Sequence, residues 1–287
     1  MSLSPHQALQ LSIAAALTTI ALKSGAWWLT GSVGYQSDAL ESLVNLAGAM
    51  FALWMVAIAA VPADERHPFG HGKAEYFSTA FEGGLIFVAA LAILFAAVER
   101  LLHPKPLAQL GWGTALSVLA SGVNWAVAQV LFKVAASHRS VALEADARHL
   151  MTDVWTTAGV VTGVALASLS GWAWLDAVVA CAVALHILKE GYELMHRAIH
   201  GLLDHAYSAE ELAQLQTVLD AHLPPGCQLA HLKTRTAGQA RFAQATLLVP
   251  ADWTVADAHA VADDLEQHAK AKAHTELNTH IEPLGHV

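Results

Sequence analysis

The sequence predicts an α-helical membrane protein of six transmembrane helices, followed by a cytoplasmic α+β domain of αββαβ order. Three observations carry that prediction. Of the 287 residues, 55% are hydrophobic and 14% charged, against about 25% charged in ordinary soluble domains. Six segments approach the apolar length of about 20 residues that a helix needs to cross a bilayer. Beyond residue 204 the apolar runs stop and an acidic, histidine-rich composition begins.

The first segment, 8–29, contains Lys23. The second, 42–63, is uncharged, and the third, 76–98, carries one charge, Glu82. The fourth and fifth, 107–132 and 154–175, are uncharged; the sixth, 174–199, begins near Asp176 and turns amphipathic at Lys189 and Glu190. No basic n-region or small-residue cleavage site marks the N-terminus, so 8–29 is expected to be a first span rather than a removed signal peptide. Arg66, Lys73, Lys133, Arg139, Arg148, Lys189 and Arg197 flank the exits of the second, fourth and sixth segments, whereas the opposite loops hold Arg100 and Lys105. By the positive-inside rule both termini are expected in the cytoplasm, as for a multi-pass protein of the cell's inner (plasma) membrane.

The expected division is a membrane domain over 1–204 and a soluble domain over 205–287. The latter holds five Lys/Arg, ten Asp/Glu and eight His. Its 208–222 stretch has helical spacing at Leu212, Leu215 and Leu219, and Pro224, Pro225 and Gly226 end it. Residues 229–235 and 242–249 read as strands about a turn at Gly238, 255–268 as a second helix and 276–282 as a last strand. That order suggests a small sandwich of ferredoxin-like type.

Charge and thiol content exclude several functions. The chain has 15 Lys and Arg against 24 Asp and Glu, a net charge of −9, which argues against nucleic acid as a partner. Its two cysteines, Cys181 and Cys227, are too few and too far apart for a disulfide framework or a thiolate zinc site. Histidine, at 17 copies, outnumbers Lys and Arg together. The sequence has no H-E-x-x-H helix, G-x-S-x-G turn or Walker loop, so an intramembrane metalloprotease or hydrolase is not supported.

An ionisable side chain at the bilayer centre costs roughly 2.5–3.5 kcal/mol on insertion scales, so each one calls for a function. Two helices carry such groups with matching spacing: Asp38, Glu41 and Asn45 stand at i, i+3 and i+7 in the second, and Asp146, His149 and Asp153 repeat it in the fifth. Each set falls on one helical face. Glu41 and Asn45 facing His149 and Asp153 would make a four-ligand oxygen and nitrogen site. Such a set suits Zn²⁺, with Fe²⁺, Mn²⁺, Co²⁺ and Cd²⁺ also compatible. Asp38 and Asp146, nearer their helix ends, read as interhelical hydrogen bonders or interface residues. A second cluster lies in the loop at 62–73, where Asp64, His67 and His71 could converge on a cation about a glycine bend.

At His67-Pro68-Phe69-Gly70-His71-Gly72-Lys73-Ala74-Glu75 the chain resembles the cation diffusion facilitator family, in particular its bacterial zinc/iron–proton antiporters. The resemblance extends over nearly the whole chain through the 37–45 string, Ala145 to His149, and Asp153, in the family's order and spacing. It implies an intramembrane transport site at Glu41, Asn45, His149 and Asp153 and a loop site at Asp64, His67 and His71. It also implies a tail metal site at His231, His259, His280 and Glu282, a salt bridge between Lys73 and Asp204, and a homodimer joined through the tails. Two departures stand out. The family's second-helix pair is usually two aspartates, or His with Asp; here Glu41 and Asn45 replace it, so the site keeps two carboxylates and metal preference does not simply carry over. Thr246 stands where a bridging tail histidine is expected, which reduces or removes a two-metal cluster there.

The expected function is proton-coupled export of a divalent transition metal, Zn²⁺ first, by alternating access, with no enzymatic step. An imidazole with an ordinary pKa of about 6.5 and carboxylates between helices can hold either M²⁺ or H⁺, since metal requires the ligands deprotonated. Gly31, Gly34, Gly48, Gly159 and Gly163 would let the helices approach closely. The alternatives are the same carrier with Fe²⁺, Mn²⁺, Co²⁺ or Cd²⁺ as main cargo, or a membrane scaffold that senses metal without transporting it.

Overall fold

Six helices of 26 to 30 residues occupy most of the chain up to residue 202. They are α1 (Pro5–Thr30), α2 (Val33–Ala59), α3 (Ala74–Leu102), α4 (Trp112–His138), α5 (Val141–Ser170) and α6 (Trp174–Leu202). The structure is a computed structural model that describes residues 3–30, 33–103, 111–172 and 174–285. The side chains at 29–30, 33–41, 44–45, 100, 112, 160, 164–165, 167–168 and 176 also lie outside the described set. Two compact units divide the chain, Met1–Ile199 and His200–Val287.

The helices run further than the apolar segments that announced them. α2 starts at Val33 instead of 42 and α5 at Val141 instead of 154, while α4 occupies Trp112–His138 instead of 107–132. Hydropathy marks uncharged stretches, but the backbone keeps its helical hydrogen bonds through a polar stripe, because lipid offers its N–H and C=O groups no other partner. Among the described residues, three stretches are long and apolar enough to cross a bilayer, Pro5–Trp28, Ala74–Glu99 and Gly113–His138, and Leu46–Ala59 is a shorter apolar stretch.

Polarity in the first unit is reversed from that of a soluble bundle. Trp28, Met50, Trp54, Phe77, Val88, Phe95 and Leu169 are exposed, whereas Lys23, Glu82, Asn124, Asp146, His149 and Asp153 are buried. Large apolar surfaces of this kind are tolerated where the surrounding solvent is lipid. Within the unit α1 packs on α2 and α4, α4 on α5, and α3 on both α2 and α5. Ile86 and Ala90 of α3 share a buried cluster with Ala145 of α5 and Ile187 and Leu194 of α6. The α3–α6 crossing is close because it is built on glycine. A Cβ at Gly191 would lie 2.8 Å from the Phe87 nitrogen, and one at Gly83 2.9 Å from the Met195 nitrogen.

Glu75 ties the start of α5 to α3. Its Oε2 accepts hydrogen bonds from the Ser140 hydroxyl at 2.7 Å and the Ala142 N–H at 3.3 Å. A wholly buried carboxylate thus satisfies orphan donors at a helix N-terminus, where negative charge is also favoured by the helix dipole. Further along, Arg148 bonds both Glu144 and Glu190, fastening α5 to α6.

The second unit contains α7 (Ala209–His222), β1 (Gln228–Ala237), β2 (Ala240–Val249), α8 (Val255–Ala273) and β3 (Glu276–Pro283), the expected αββαβ order. β1 and β2 pair antiparallel about Gly238, whose φ of 59° suits a tight turn. α8 then carries the chain back so that β3 lies parallel to β2. Leu215, Leu219, Leu247, Leu265 and Leu277 form the core between the helices and one sheet face. Both helices start in a capping box, Ser208 with Glu211 and Thr254 with Asp257. Burial raises the pKa of the Glu211 carboxyl, but the Arg241 guanidinium bonded to it at 2.9 Å outweighs that and holds it below its ordinary value.

Candidate metal sites

The loop between α2 and α3 places Asp64, His67 and His71 together. Asp64 and His67 exchange backbone hydrogen bonds at 3.2 Å, and Gly70, at a φ of 78°, turns the chain so that Ala74 can bond the His71 carbonyl and start α3. The Asp64 Oδ1 accepts from the Arg66 and His67 N–H groups at 2.8 and 2.7 Å. His67 Nδ1 lies 3.1 Å from Asp64 Oδ1, and His71 Nε2 lies 3.6 Å from Oδ2. Ligand atoms of the three residues lie within 4.8 Å of one another, the one such trio of His, Cys, Asp or Glu among the described residues. The His67 N–H bonded to the Asp64 carboxylate is the main reason its pKa falls below the ordinary value.

The candidate intramembrane site is built on α5. His149 and Asp153 are both buried, one turn apart on the face that looks into the bundle. Asp153 Oδ2 accepts a hydrogen bond from the Asn124 amide of α4 at 2.9 Å and lies 3.9 Å from the Lys23 ammonium of α1. His149 Nδ1 lies 3.2 Å from Glu82 Oε2 of α3. Asp146, one turn earlier on α5, is likewise buried. On α2 the backbone carries Asp38, Glu41 and Asn45 as helix, but their side chains lie outside the described residues.

Three of these partners carried no assigned role in the sequence. Lys23 and Glu82 were visible there as lone charges in apolar segments, a signal that could have placed them at the site. Asn124 gave no such signal, because its span carries no charge at all.

In the tail, His231, Thr246 and His280 line a cleft of about 270 Å³ on the sheet, with Lys233, Gln244 and Asn278. A bulge in β1 between Ala230 and Lys233 gives His231 a φ of 51° and re-aims it. Thr246 and His280 are register partners across β2 and β3. His280 Nε2 lies 3.2 Å from Glu282 Oε1, so these two belong together. His259 stands on α8, does not line the cleft, and pairs with Asp263 at 3.5 Å. Lys73 precedes α3 in the first unit, while Asp204 in the second accepts from Arg235 at 3.2 Å.

A lipid-exposed helical bundle with carboxylate, imidazole and amide groups gathered inside it, joined to a histidine-bearing α+β tail, is the design of a membrane carrier for cations. Residues 9–203 match the family model of the cation efflux transmembrane domain, and 207–284 match that of the cation efflux protein cytoplasmic domain. The chain belongs to the cation efflux family, the cation diffusion facilitators. It is 47% identical to a Synechocystis sp. protein described as an uncharacterized transporter, over 96% of this chain and 89% of that one. It is 32% identical to the cation-efflux pump FieF of Klebsiella pneumoniae over 88% of this chain and 84% of the relative. With FieF of Shewanella oneidensis it shares 30% identity over 95% and 92% of the two chains. The protein is therefore a membrane-embedded transporter of divalent metal cations and not an enzyme.

Proposed function

We propose that this transporter exports Zn²⁺ from the cytoplasm in exchange for protons by alternating access, with Glu41, Asn45, His149 and Asp153 as its transport ligands. The observation that carries the reading is the burial of His149 and Asp153 one turn apart on α5, inside a bundle whose outside is apolar. Oxygen and imidazole nitrogen ligands suit Zn²⁺, and Fe²⁺ or Mn²⁺ are the nearest alternatives by ligand type. Binding a dication requires neutral imidazole and ionised carboxylate, so protons reaching the same groups favour its release. Asp153 already has cationic and hydrogen-bonding partners in Lys23 and Asn124. A carboxylate supported in this way remains oriented between cargo ions.

The loop trio fits a second, peripheral ion-binding role, and His231, His280 and Glu282 fit a regulatory tail site, to which His259 would come from elsewhere in the assembly. The remaining expectations belong to the same reading: a homodimer joined through the tails, Lys73 paired with Asp204, and both termini on the cytoplasmic side of the inner membrane. Proteoliposomes loaded with a pH dye test the coupling. An imposed Zn²⁺ gradient should move protons in the opposite direction, and zinc flux with no proton movement would overturn the antiport reading. Flux assays with Zn²⁺, Fe²⁺ and Mn²⁺ rank the cargo, and a clear preference for either of the last two would overturn the zinc assignment.

A further inference from the structure

We propose that Glu82 is an ion-contacting carboxylate of the transport path, holding the cation together with His149 and supplying the negative charge that Asn45 lacks. The proposal rests on His149 and Asp153 being transport ligands.

Glu82 is wholly buried on α3, and among the described residues neither of its carboxylate oxygens makes a hydrogen bond. A buried carboxylate without hydrogen-bond donors is costly, and a purely structural one would be expected to have them. Glu75, on the same helix, is the contrast: it is equally buried, but it holds Ser140 and Ala142 by hydrogen bonds. An imidazole proposed as a ligand, that of His149, lies 3.2 Å from Glu82 instead.

The position of Glu82 also joins the two ligand-bearing helices. A Cβ at Gly48 of α2 would stand only 2.6 Å from Glu82 Oε1, so the carboxylate fills room that glycine leaves. Gly48 continues the helical series of Glu41 and Asn45, three residues beyond Asn45. Glu82 therefore sits where α2, α3 and α5 meet. Asp146, one turn before His149, interacts electrostatically with Glu82, and among the described residues its buried Oδ2 has no hydrogen bond. Two buried carboxylates repel each other, and a cation between them and the imidazole relieves that repulsion.

Charge balance points the same way. The four-residue set has two carboxylates, Glu41 and Asp153, but the Lys23 ammonium lies 3.9 Å from Asp153 and offsets one of them. Glu82 restores the charge that a dication needs. It also accounts for how the chain can carry a neutral Asn45.

Full-length protein in detergent tests this, with Asp64→Ala and His280→Ala present throughout so that loop and tail binding are silenced. Co²⁺ titration followed by its visible absorption reports the ligand set, and Zn²⁺ competition against a chromophoric chelator reports affinity. Glu82→Gln, which keeps the shape and removes the charge, should weaken binding at least tenfold and change the Co²⁺ spectrum. Glu82→Asp should recover part of both. Gly48→Ala keeps the carboxylate but displaces it, and should shift the spectrum in the same sense even if Glu82→Gln fails to fold. Asp153→Ala separates the two claims. If it loses binding while Glu82→Gln and Gly48→Ala keep the parent affinity and spectrum, Glu82 is not a ligand. If Asp153→Ala itself binds as the parent does, the underlying site reading falls.

Discussion

The loop trio and the intramembrane pair hold similar ligands in opposite ways. Asp64, His67 and His71 are drawn together by local backbone, a turn closed by Gly70 and N–H groups bonded to Asp64, and Asp64 and His67 are open to solvent. His149 and Asp153 are buried and adjacent on one helix, yet each faces a different helix, His149 toward Glu82 and Asp153 toward Asn124 and Lys23. A surface site can be assembled by a short stretch of sequence because water screens its charges and satisfies what is left over. A site within the bilayer must draw its counter-charges and donors from neighbouring helices, so under the proposed alternating-access reading a rearrangement of those helices would change its grip on an ion, whereas the loop trio would keep its own.

Weakening the support of Asp153 should give the largest effect on this contrast. Asn124→Ala removes the amide that orients Asp153 and is expected to lower intramembrane metal affinity about 10–100-fold, with loop binding unchanged in a calorimetric titration. Next is the anchor of α5. Glu75→Ala leaves the Ser140 and Ala142 donors without their acceptor, which should cost about 1–3 kcal/mol in a denaturation experiment. The matching change in the loop should be milder for transport: Asp64→Ala removes loop metal binding while flux persists, and full inactivation would erase the distinction between the two sites.

Acidity sharpens the comparison further. The Asp64 carboxyl titrates below its ordinary 3.8, so its contribution to the loop turn is complete above that value and is lost as pH falls through its lowered pKa. Chemical shifts of the Asp64 carboxyl should therefore stay constant through weakly acidic buffer and change only below its ordinary range. The smallest effect is expected in the tail. Glu211→Ala removes a capping box and the partner of Arg241, worth about 1 kcal/mol, visible as a small drop in Tm with no change in flux.

The tail was legible within a few positions, because helical spacing and turns are local signals: Leu212, Leu215 and Leu219 mark α7, Pro224 to Gly226 end it, and Gly238 turns β1 into β2. The loop was legible for the same reason. The membrane helices were legible in number; hydropathy alone understates their extent, but the helical spacing of Asp146, His149 and Asp153 places all three on the fifth helix, as the backbone does. The support of the intramembrane site was least legible. Helical periodicity places residues on a face but does not say which helix that face meets, so the pairing of Asp153 with Lys23 and Asn124, and of His149 with Glu82, emerges only from the packing. The α3–α6 crossing at Gly83 and Gly191 was missed for the same reason, whereas Gly48 and Gly159, read from sequence, do lie at close contacts.

Metal flux into proteoliposomes, compared for Asp153→Ala and Asp64→Ala at equal protein density, tests the division of labour most directly. Flux should vanish in the first with the fold intact by circular dichroism, and persist in the second. Normal flux through Asp153→Ala would mean that the cation crosses by another route.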